Sequence, residues 1–173
     1  MLELTGARLQ ICESSVECLP ALLAIYLSNP EFVEQNEGSE GESGRYDLDR
    51  WLRDWQVIQM MGSHRLGCYL QANSTPIGFV DFLEENENDG YPWLGALVVH
   101  RDYQRRGFGT EIFRCLAEHF RGYTGWTALR AGVKVRNQGG LAFLKHLGFT
   151  VLEEKSGRFT GGIQQFFILE VAL

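Results

Sequence analysis

The chain has 173 residues, of which 45% are hydrophobic and 22% charged, and its net charge at pH 7 is −6. This size and composition predict one globular domain over residues 1–173, and they exclude disordered, collagen-like and coiled-coil proteins. The acidic balance argues against nucleic acid as a partner, because phosphate binding needs a basic face.

The first half of the chain is predicted to contain two helices and three strands. Residues 14–17 form a capping box that opens a helix, although Pro20 leaves open a start nearer Leu19. Pro30 stops this helix, and Asp47 caps a second one. The predicted elements are a strand at 9–12, a helix at 14–28, an acidic Gly- and Ser-rich loop at 34–44, a helix at 47–62 and strands at 64–71 and Pro76–Leu83.

The second half is predicted to alternate strands and helices. Trp93–Val99 is nearly all apolar, as expected of a central strand buried on both faces. The elements after it are a helix at 107–122, a strand at 126–133, a helix at 137–147 and strands at 150–155 and 163–171. A strand–helix–strand–helix–strand order predicts parallel neighbours joined by right-handed crossovers.

The sequence shows no targeting or metal-binding pattern. Its longest apolar run, Leu19–Leu27, is too short to cross a bilayer, and no secretory signal is recognisable, so we expect a cytoplasmic protein without a membrane partner. The histidines and cysteines are not at metal-ligand spacings, which predicts that there is no catalytic metal.

The strongest chemical signal lies between the predicted central strand and the next helix. The loop there, residues 104–109 (QRRGFG), is basic, contains two glycines and opens directly into the helix. A helix N-terminus has unpaired N–H groups and a partial positive charge, and glycines let an anion approach them. The loop therefore predicts a phosphate site. It lacks the third glycine of a dinucleotide fingerprint, where Ile112 stands, and the Gly-Lys-Ser/Thr of a Walker loop.

Two motifs resemble those of the GNAT acetyltransferases. Residues 104–109 resemble the family's Gln/Arg-x-x-Gly-x-Gly/Ala signature. Asn137-x-x-Gly140-x-x-Phe143, followed by residues 147–149 (LGF), resembles its later Asn-x-x-Ala … Gly-Phe segment. The resemblance implies a GNAT-like α/β fold, with a mostly antiparallel sheet of six or seven strands, a parallel and splayed central pair, and about four flanking helices.

The resemblance also implies acetyl-CoA as cosubstrate and a primary amine as acceptor, which attacks directly without an acyl-enzyme. In the family the pantetheine arm lies beside the central strand, and a backbone N–H, here near Leu97, stabilises the oxyanion. The residues implied to bind the cosubstrate are Leu97, Val98, Val99, Gln104, Arg105, Arg106, Gly107, Phe108, Gly109, Thr110, Asn137 and Phe143. By residue type alone, Asn137 predicts a helix cap and Phe143 a core side chain.

The chain departs from the family pattern at two positions. Some members place a glutamate base where Trp93 stands, and many place a tyrosine acid where Leu144 stands. The resemblance therefore assigns neither the general base nor the general acid to a residue of this chain. Substitute proton carriers near the central strand are Asp81, Glu84, Tyr91 and His100. For each of them, the alternative is a solvated surface group.

The acceptor side is predicted from charge and aromatic content. In the family, the first two helices and the segment that connects them form one wall of the acceptor pocket. In this chain, that region is acidic and aromatic. This combination suits a cationic amine, although a solubilising loop over core tryptophans is the alternative. The candidate acceptor-binding residues are Tyr26, Tyr46, Trp51, Trp55 and Trp93, and Phe32 lies in the same aromatic region.

Several other interpretations stay open at this point. The chain could bind acyl-CoA without turnover, transfer a longer acyl group, use a hydroxyl acceptor, or bind a nucleotide such as ATP or NAD. Residues 166–169 (FFIL) fit either a homodimer surface or the core.

Overall fold

The computed structural model describes residues 2–37, 46–122, 125–159 and 162–173. Within them, one eight-stranded sheet is accompanied by five α-helices and by short 3₁₀ turns at Val16–Cys18 and Arg101–Tyr103. The strands are β1 (Glu3–Thr5), β2 (Leu9–Glu13), β3 (Ser63–Leu70), β4 (Pro76–Leu83), β5 (Trp93–Val99), β6 (Ala128–Lys134), β7 (Thr150–Phe159) and β8 (Gly162–Ala172). The α-helices are α1 (Leu19–Leu27), α2 (Pro30–Glu37), α3 (Leu48–Met60), α4 (Phe108–Arg121) and α5 (Gln138–His146).

The sheet has the strand order β1-β2-β3-β4-β5-β6-β8-β7. Neighbouring strands are antiparallel except β5 and β6, which are parallel and connected through α4. This confirms the predicted mixed fold with a parallel central pair. The described residues form eight strands and five α-helices, against six or seven strands and about four helices predicted.

The prediction of a second parallel neighbour pair is wrong, because β8 lies between β6 and β7. β8 pairs antiparallel with both, over most of its length on each side. Its Ile168 and Leu169 are buried, whereas the residues of β7 from 150 to 156 are all exposed. The apolar strand therefore takes the inner position and the polar strand takes the edge.

The predictions for the first helices also need correction. Ser14 makes no cap, since its buried hydroxyl has no partner among the described residues. α1 instead begins at Leu19, with Pro20 in the first turn, where its missing N–H costs nothing. Pro30 similarly begins a new helix, α2, so that residues 34–37 of the predicted loop are helical. The rest of that loop, residues 38–44, lies outside the described residues together with residue 45.

Asp47 caps α3 as predicted, because its carboxylate accepts a hydrogen bond of 2.9 Å from the Arg50 N–H. The cap gives α3 a defined start after the part of the chain that is not described. Trp51 is the buried residue of the apolar face of this helix.

Two apolar clusters lie on opposite faces of the sheet. Adjacent residues of a strand point to opposite faces, so Val80 joins the cluster under α4 and α5, while Phe79 joins the cluster under α1 and α3. In the segment 166–169, Leu169 is fully buried in the first cluster, and Phe167 packs against it. These two side chains therefore belong to the core. Within the described residues, no helix is long and apolar enough to span a membrane.

Candidate active site

The parallel strands β5 and β6 separate shortly after they meet. Their paired positions are Trp93 with Arg130 and Leu94 with Ala131, and the pairing ends there. On its other side, β5 stays paired with β4 as far as Val99. A gap therefore opens between β5 and β6 from Gly95 onward, as the splayed pair in the sequence analysis requires.

A network of polar contacts holds the closed end of this gap together. The Arg130 N–H donates to the Pro92 carbonyl at 2.9 Å, and its guanidinium pairs with Asp89 and Glu170, both at 3.0 Å. The Trp93 indole N–H donates to the same Asp89 carboxylate at 3.0 Å. Trp93 thus stabilises the point where the strands diverge, and it lines neither of the two cavities beside the gap.

Helix α2 is bound to both of the separating strands. At its start, the Asn29 side chain donates to the Val99 carbonyl of β5 at 3.2 Å. Near its end, the Gln35 carbonyl accepts from Lys134 of β6 at 2.8 Å and also from Arg136. The helix therefore bridges the open end of the gap. The sequence analysis missed α2, because an acidic segment gives little sign of a helix whose anchors lie about 100 residues away.

The predicted phosphate loop has the geometry of an exposed helix N-terminus. Gly107 caps α4 with a φ of 80°, in the left-handed region that favours glycine, and Arg105 has a φ of 60°. Residues 104–107 are exposed, and the Gln104 N–H donates to the Arg101 carbonyl at 3.2 Å. Arg8 braces the loop by donating to the Arg106 carbonyl at 3.1 Å. The sequence analysis missed Arg8, since no local motif marks it.

Several residues that the resemblance assigned to cosubstrate binding also have structural partners. The Gln104 amide donates to the Val99 carbonyl at 3.0 Å and to the Asn29 side chain, so it shapes the loop. Asn137 caps α5, with its side-chain oxygen accepting from the Gly140 N–H at 2.8 Å. These contacts explain the residue types without a ligand. Their binding roles stay predictions.

Close packing explains the second glycine of the loop. A Cβ on Gly109 would lie 2.9 Å from Cζ of Phe143, a distance that side chains do not tolerate without a shift. This contact joins the two motifs that carried the resemblance, because the start of α4 rests directly on α5. Leu97, from β5, lies against the same point, with Cδ2 3.6 Å from that Cβ position.

A large cavity of about 620 Å³ lies beside the gap, on the face of the sheet that α1 and α3 cover. Gly95 and Ala96 of β5 and Gly132 of β6 contribute backbone to it. Its aromatic lining residues are Tyr26, Phe32, Tyr46, Trp51, Phe79 and Phe166. Three of the five predicted acceptor-binding residues, Tyr26, Tyr46 and Trp51, are among them. The other two are absent, since Trp55 packs on the outer side of the same cluster and Trp93 lies at the closed end.

Two of the carboxylates that line this cavity belong to separate sets of paired charged groups. Arg65 and Asp81 form a buried bidentate ion pair, with distances of 2.8 and 2.7 Å, and the guanidinium lies over the Trp51 ring at 4.1 Å. In the second set, Glu37 accepts from the Tyr26 hydroxyl at 3.0 Å and from Arg50 at 2.6 Å. Both of these carboxylates are therefore matched by a guanidinium.

Burial shifts the pKa values of three side chains that line this cavity. It raises the pKa of Asp54, and the nearby Glu37 carboxylate raises it further. It also raises the pKa of Tyr26, again with a contribution from Glu37. The pKa of Lys134 is lowered by burial and by the charge of Arg136. The cavity therefore disfavours isolated charges of either sign.

A smaller cavity of about 330 Å³ lies on the loop side of α2. Its polar lining residues include Asn29, Gln35, Arg101 and Gln104. It shares Phe32 and Asn137 with the larger cavity. Two ligands that entered from the two cavities would therefore meet beside α2, at Phe32 and Asn137.

The predicted proton carriers are dispersed in the structure. Asp81 lines the larger cavity but is held by Arg65. The other three are absent from the lining of both cavities: Glu84 lies 3.9 Å from His64, Tyr91 lies under the Arg130 guanidinium, and His100 accepts from its neighbouring backbone. Leu144, at the family's tyrosine position, is buried in the core. Over the ranges that the structure describes, no cluster of three or more His, Cys, Asp or Glu side chains could hold a metal ion.

The comparison with known families decides the identity. The model of the acetyltransferase (GNAT) family matches residues 24–149, which include the gap, the loop and both motifs. The chain belongs to the GNAT family. It is therefore an N-acetyltransferase, and GNAT acetyltransferases use acetyl-CoA. A search of curated protein sequences finds no match.

Solved GNAT structures share this fold over nearly the whole chain. An acetyltransferase from Thermus thermophilus is 20% identical, with a TM-score of 0.71 over 99% of this chain and 100% of its own. A Salmonella typhimurium enzyme that modifies the N-terminal serine of ribosomal protein L7/L12 is 13% identical, with a TM-score of 0.75 over 97% and 96%. A ribosomal L7/L12 α-N-protein acetyltransferase bound to coenzyme A is 13% identical, with a TM-score of 0.77 over 99% and 98%.

Proposed function

We propose that this enzyme transfers the acetyl group of acetyl-CoA directly to a primary amine that is cationic in solution. One observation carries the proposal: two cavities of different chemistry approach the gap between β5 and β6 and share Phe32 and Asn137. A two-substrate transfer needs two entrances and one meeting point. The polar cavity beside the basic loop suits the donor, and the aromatic, acidic cavity suits the amine.

The donor side fits an elongated ligand that ends in a pyrophosphate. The exposed turn at Gly107 offers backbone N–H groups and the positive end of α4, and Arg105 and Arg106 add two formal charges. Between this turn and the gap lies β5, whose edge facing β6 is unpaired beyond Leu94. We infer that this edge, from Leu97 to Val99, lies beside the pantetheine arm.

Direct transfer is favoured because neither cavity is lined by a cysteine. The smaller cavity does include Ser28, but its hydroxyl donates to the Ile25 carbonyl at 2.7 Å and accepts from the Arg101 N–H. The amine nitrogen is then the nucleophile, and the described lining supplies no activated side chain to form an acyl-enzyme.

The acceptor must lose a proton before it can attack. For an amine with an ordinary lysine-type pKa, deprotonation at pH 7 costs about 4.6 kcal/mol. The larger cavity lowers the pKa of its own amine, Lys134, by burial. We infer that burial acts in the same direction on a bound amine, which offsets part of this cost without a dedicated base at Trp93.

The acceptor class should be tested broadly. Because the Salmonella relative modifies a protein N-terminus, the amines to be compared should include a peptide with a free α-amino group, a diamine and an amino acid amide. We expect one acetyl group to be added per amine, as measured by product mass. When acetyl-CoA and a longer acyl-CoA are supplied together, a product mass gain larger than acetyl would show a preference for the longer donor.

The donor site can be tested before the acceptor is known. We expect calorimetric titration to show micromolar binding of acetyl-CoA and no binding of ATP or NAD. Tight binding of ATP or NAD, without acetyl-CoA, would contradict the proposal.

A further inference from the structure

The turn between β1 and β2 docks on the first turn of α4 through one ion pair. The Arg8 backbone N–H donates to one carboxylate oxygen of Glu111 at 2.6 Å, and Nε of Arg8 donates to the other oxygen at 2.7 Å. Gly6 makes room for this carboxylate, because a Cβ on Gly6 would lie 2.7 Å from Oε1 of Glu111. Glu111 is therefore fitted to the turn, and it fixes where the Arg8 side chain lies.

The guanidinium of Arg8 extends from this ion pair to the loop at residues 104–109. Its Nη1 donates to the Arg106 carbonyl at 3.1 Å, and its carbon lies 4.1 Å from the centre of the Phe108 ring. Its Nη2 lies 3.6 Å from the position that a Cβ would take on Gly107. One side chain thus lies against three consecutive residues where the loop passes into α4.

This loop has a backbone conformation that its own residues do not favour. Arg105 has a φ of 60°, in the left-handed region, which is disfavoured for a residue that carries a Cβ. Such a conformation persists only where contacts from the surrounding structure enforce it. The hydrogen bond from Arg8 is a contact of this kind, because it holds the carbonyl of the residue directly after Arg105.

The same hydrogen bond fixes the direction of the next backbone donor. The C=O and N–H of a trans peptide unit lie in one plane and point in opposite directions, and the described residues include no cis peptide bond. The Gly107 N–H therefore points away from Arg8. Among the described residues, it and the N–H groups of Arg105 and Arg106 have no hydrogen-bond acceptor. The turn thus holds unused donors, and Arg8 orients the one on Gly107.

The charge of Arg8 is matched by Glu111, so its effect on the loop is mainly an effect on shape. We propose that Arg8, held in place by Glu111, is a positioning residue for acetyl-CoA. It keeps the turn at residues 105–107 in the conformation in which the unused N–H groups meet the pyrophosphate. This inference rests on the proposed function, because that function assigns the loop to the pyrophosphate.

Two variants, Arg8→Lys and Glu111→Gln, test this role by calorimetric titration of acetyl-CoA into the full chain. Lysine keeps the charge, but its ammonium group lacks the planar fork that reaches the carboxylate and the carbonyl together. Glutamine keeps the length of the side chain, but only one of its two terminal atoms accepts a hydrogen bond. Since one hydrogen bond corresponds to roughly twofold to tenfold in an equilibrium constant, each variant should weaken acetyl-CoA binding about threefold or more.

The direction of the Glu111→Gln effect separates positioning from charge. If Arg8 acted on the pyrophosphate through its charge, Arg8→Lys would bind acetyl-CoA as the parent does. Glu111→Gln would then bind it more tightly, because this variant removes a negative charge near an anionic ligand. Arg114→Lys and Glu118→Gln are the matched controls, since both residues are exposed on the same helix, and both variants should keep the parent affinity.

Thermal melts distinguish a loss of binding from a loss of folding. The Arg8 side chain is 47% exposed, and an exposed ion pair contributes little to stability, so we expect both variants to fold. A purely structural role would lower the melting temperature of a variant without changing the affinity of the protein that stays folded. If Glu111→Gln unfolds, Glu111→Asp replaces it, because the shorter side chain keeps the charge but cannot hold both donors of Arg8.

Each outcome has one meaning. Weaker binding by both variants, with both controls at the parent affinity, supports the proposal. Parent affinity in Arg8→Lys, parent or tighter affinity in the Glu111 variant, or equal weakening in the controls overturns it and leaves the proposed function intact. If the parent itself does not bind acetyl-CoA, the proposed function fails, and this inference fails with it.

Discussion

Breaking the buried ion pair between Arg65 and Asp81 should destabilise the protein strongly. Both side chains are almost fully buried, at 5% and 8% exposure, and they share two short hydrogen bonds. Asp81→Ala would leave the guanidinium uncompensated against the rings of Trp51 and Phe79. Removing one partner of a buried pair costs about 3–5 kcal/mol, out of a total stability of about 5–15 kcal/mol.

The loss is measurable by chemical and thermal unfolding. For a chain of this size, each kcal/mol moves the melting temperature by about 2–4 °C, so Asp81→Ala should lower it by about 6–20 °C. Glu153→Ala is the surface control, since its pair with Lys155 is about half exposed and should contribute less than about 1 kcal/mol.

A double variant distinguishes the loss of the whole ion pair from the cost of leaving one buried charge without its partner. Replacing Arg65 with Met and Asp81 with Leu removes both charges and keeps apolar volume, so it should cost less than Asp81→Ala alone. A loss below about 1 kcal/mol for Asp81→Ala, or a double variant that is the least stable of all, would refute the reasoning.

Three further predictions follow from the loop, the helix contact and the cavity. Changing both Arg105 and Arg106 to Ala should weaken acetyl-CoA binding about tenfold at low salt, measured by calorimetry, with little change in melting temperature. Gly109→Ala should cost about 1–3 kcal/mol of unfolding free energy, because its Cβ would press on Phe143, and the added Phe143→Leu should recover part of it. The raised pKa of Asp54 means that its charged form is disfavoured by folding. Asp54 therefore stabilises the folded protein below about pH 4, and this stabilisation is lost as pH rises through its folded-state pKa. In thermal melts over that pH interval, Asp54→Asn should therefore lose less stability than the parent protein.

Each of these has a matched control. Arg114→Ala removes an exposed charge from α4 and should leave acetyl-CoA affinity unchanged. Gly139→Ala adds a Cβ to α5 in open space and should be neutral or mildly stabilising. Asp49→Asn should retain the parent pH dependence. Equal effects in a variant and its control would show that the stated contact is not the cause.

Local chemistry is enough to determine much of this fold. The strand Trp93–Val99 is predicted with its observed bounds, because an unbroken apolar run bounded by polar loops has few other solutions. The Asp47 cap is also predictable, since the cap bond spans three residues. The loop at residues 104–109 and the Asn137 segment are sufficient to indicate the family, because their glycines and polar residues serve backbone geometry at fixed spacing.

Tertiary structure decided what depends on distant partners. Whether β7 or β8 lies beside β6 depends on which strand can bury its side chains. The order of strands and helices along the chain does not predict which of the two it is. Likewise, α2 is anchored by Lys134 and Arg136, and Arg8 braces a loop 98 residues away. The sequence by itself therefore determined the family and the loop that we propose binds the donor. Only the packing of α1, α2 and α3 against β4, β5 and β6 formed the larger cavity, because the residues that line it are too far apart along the chain for any local pattern to connect them.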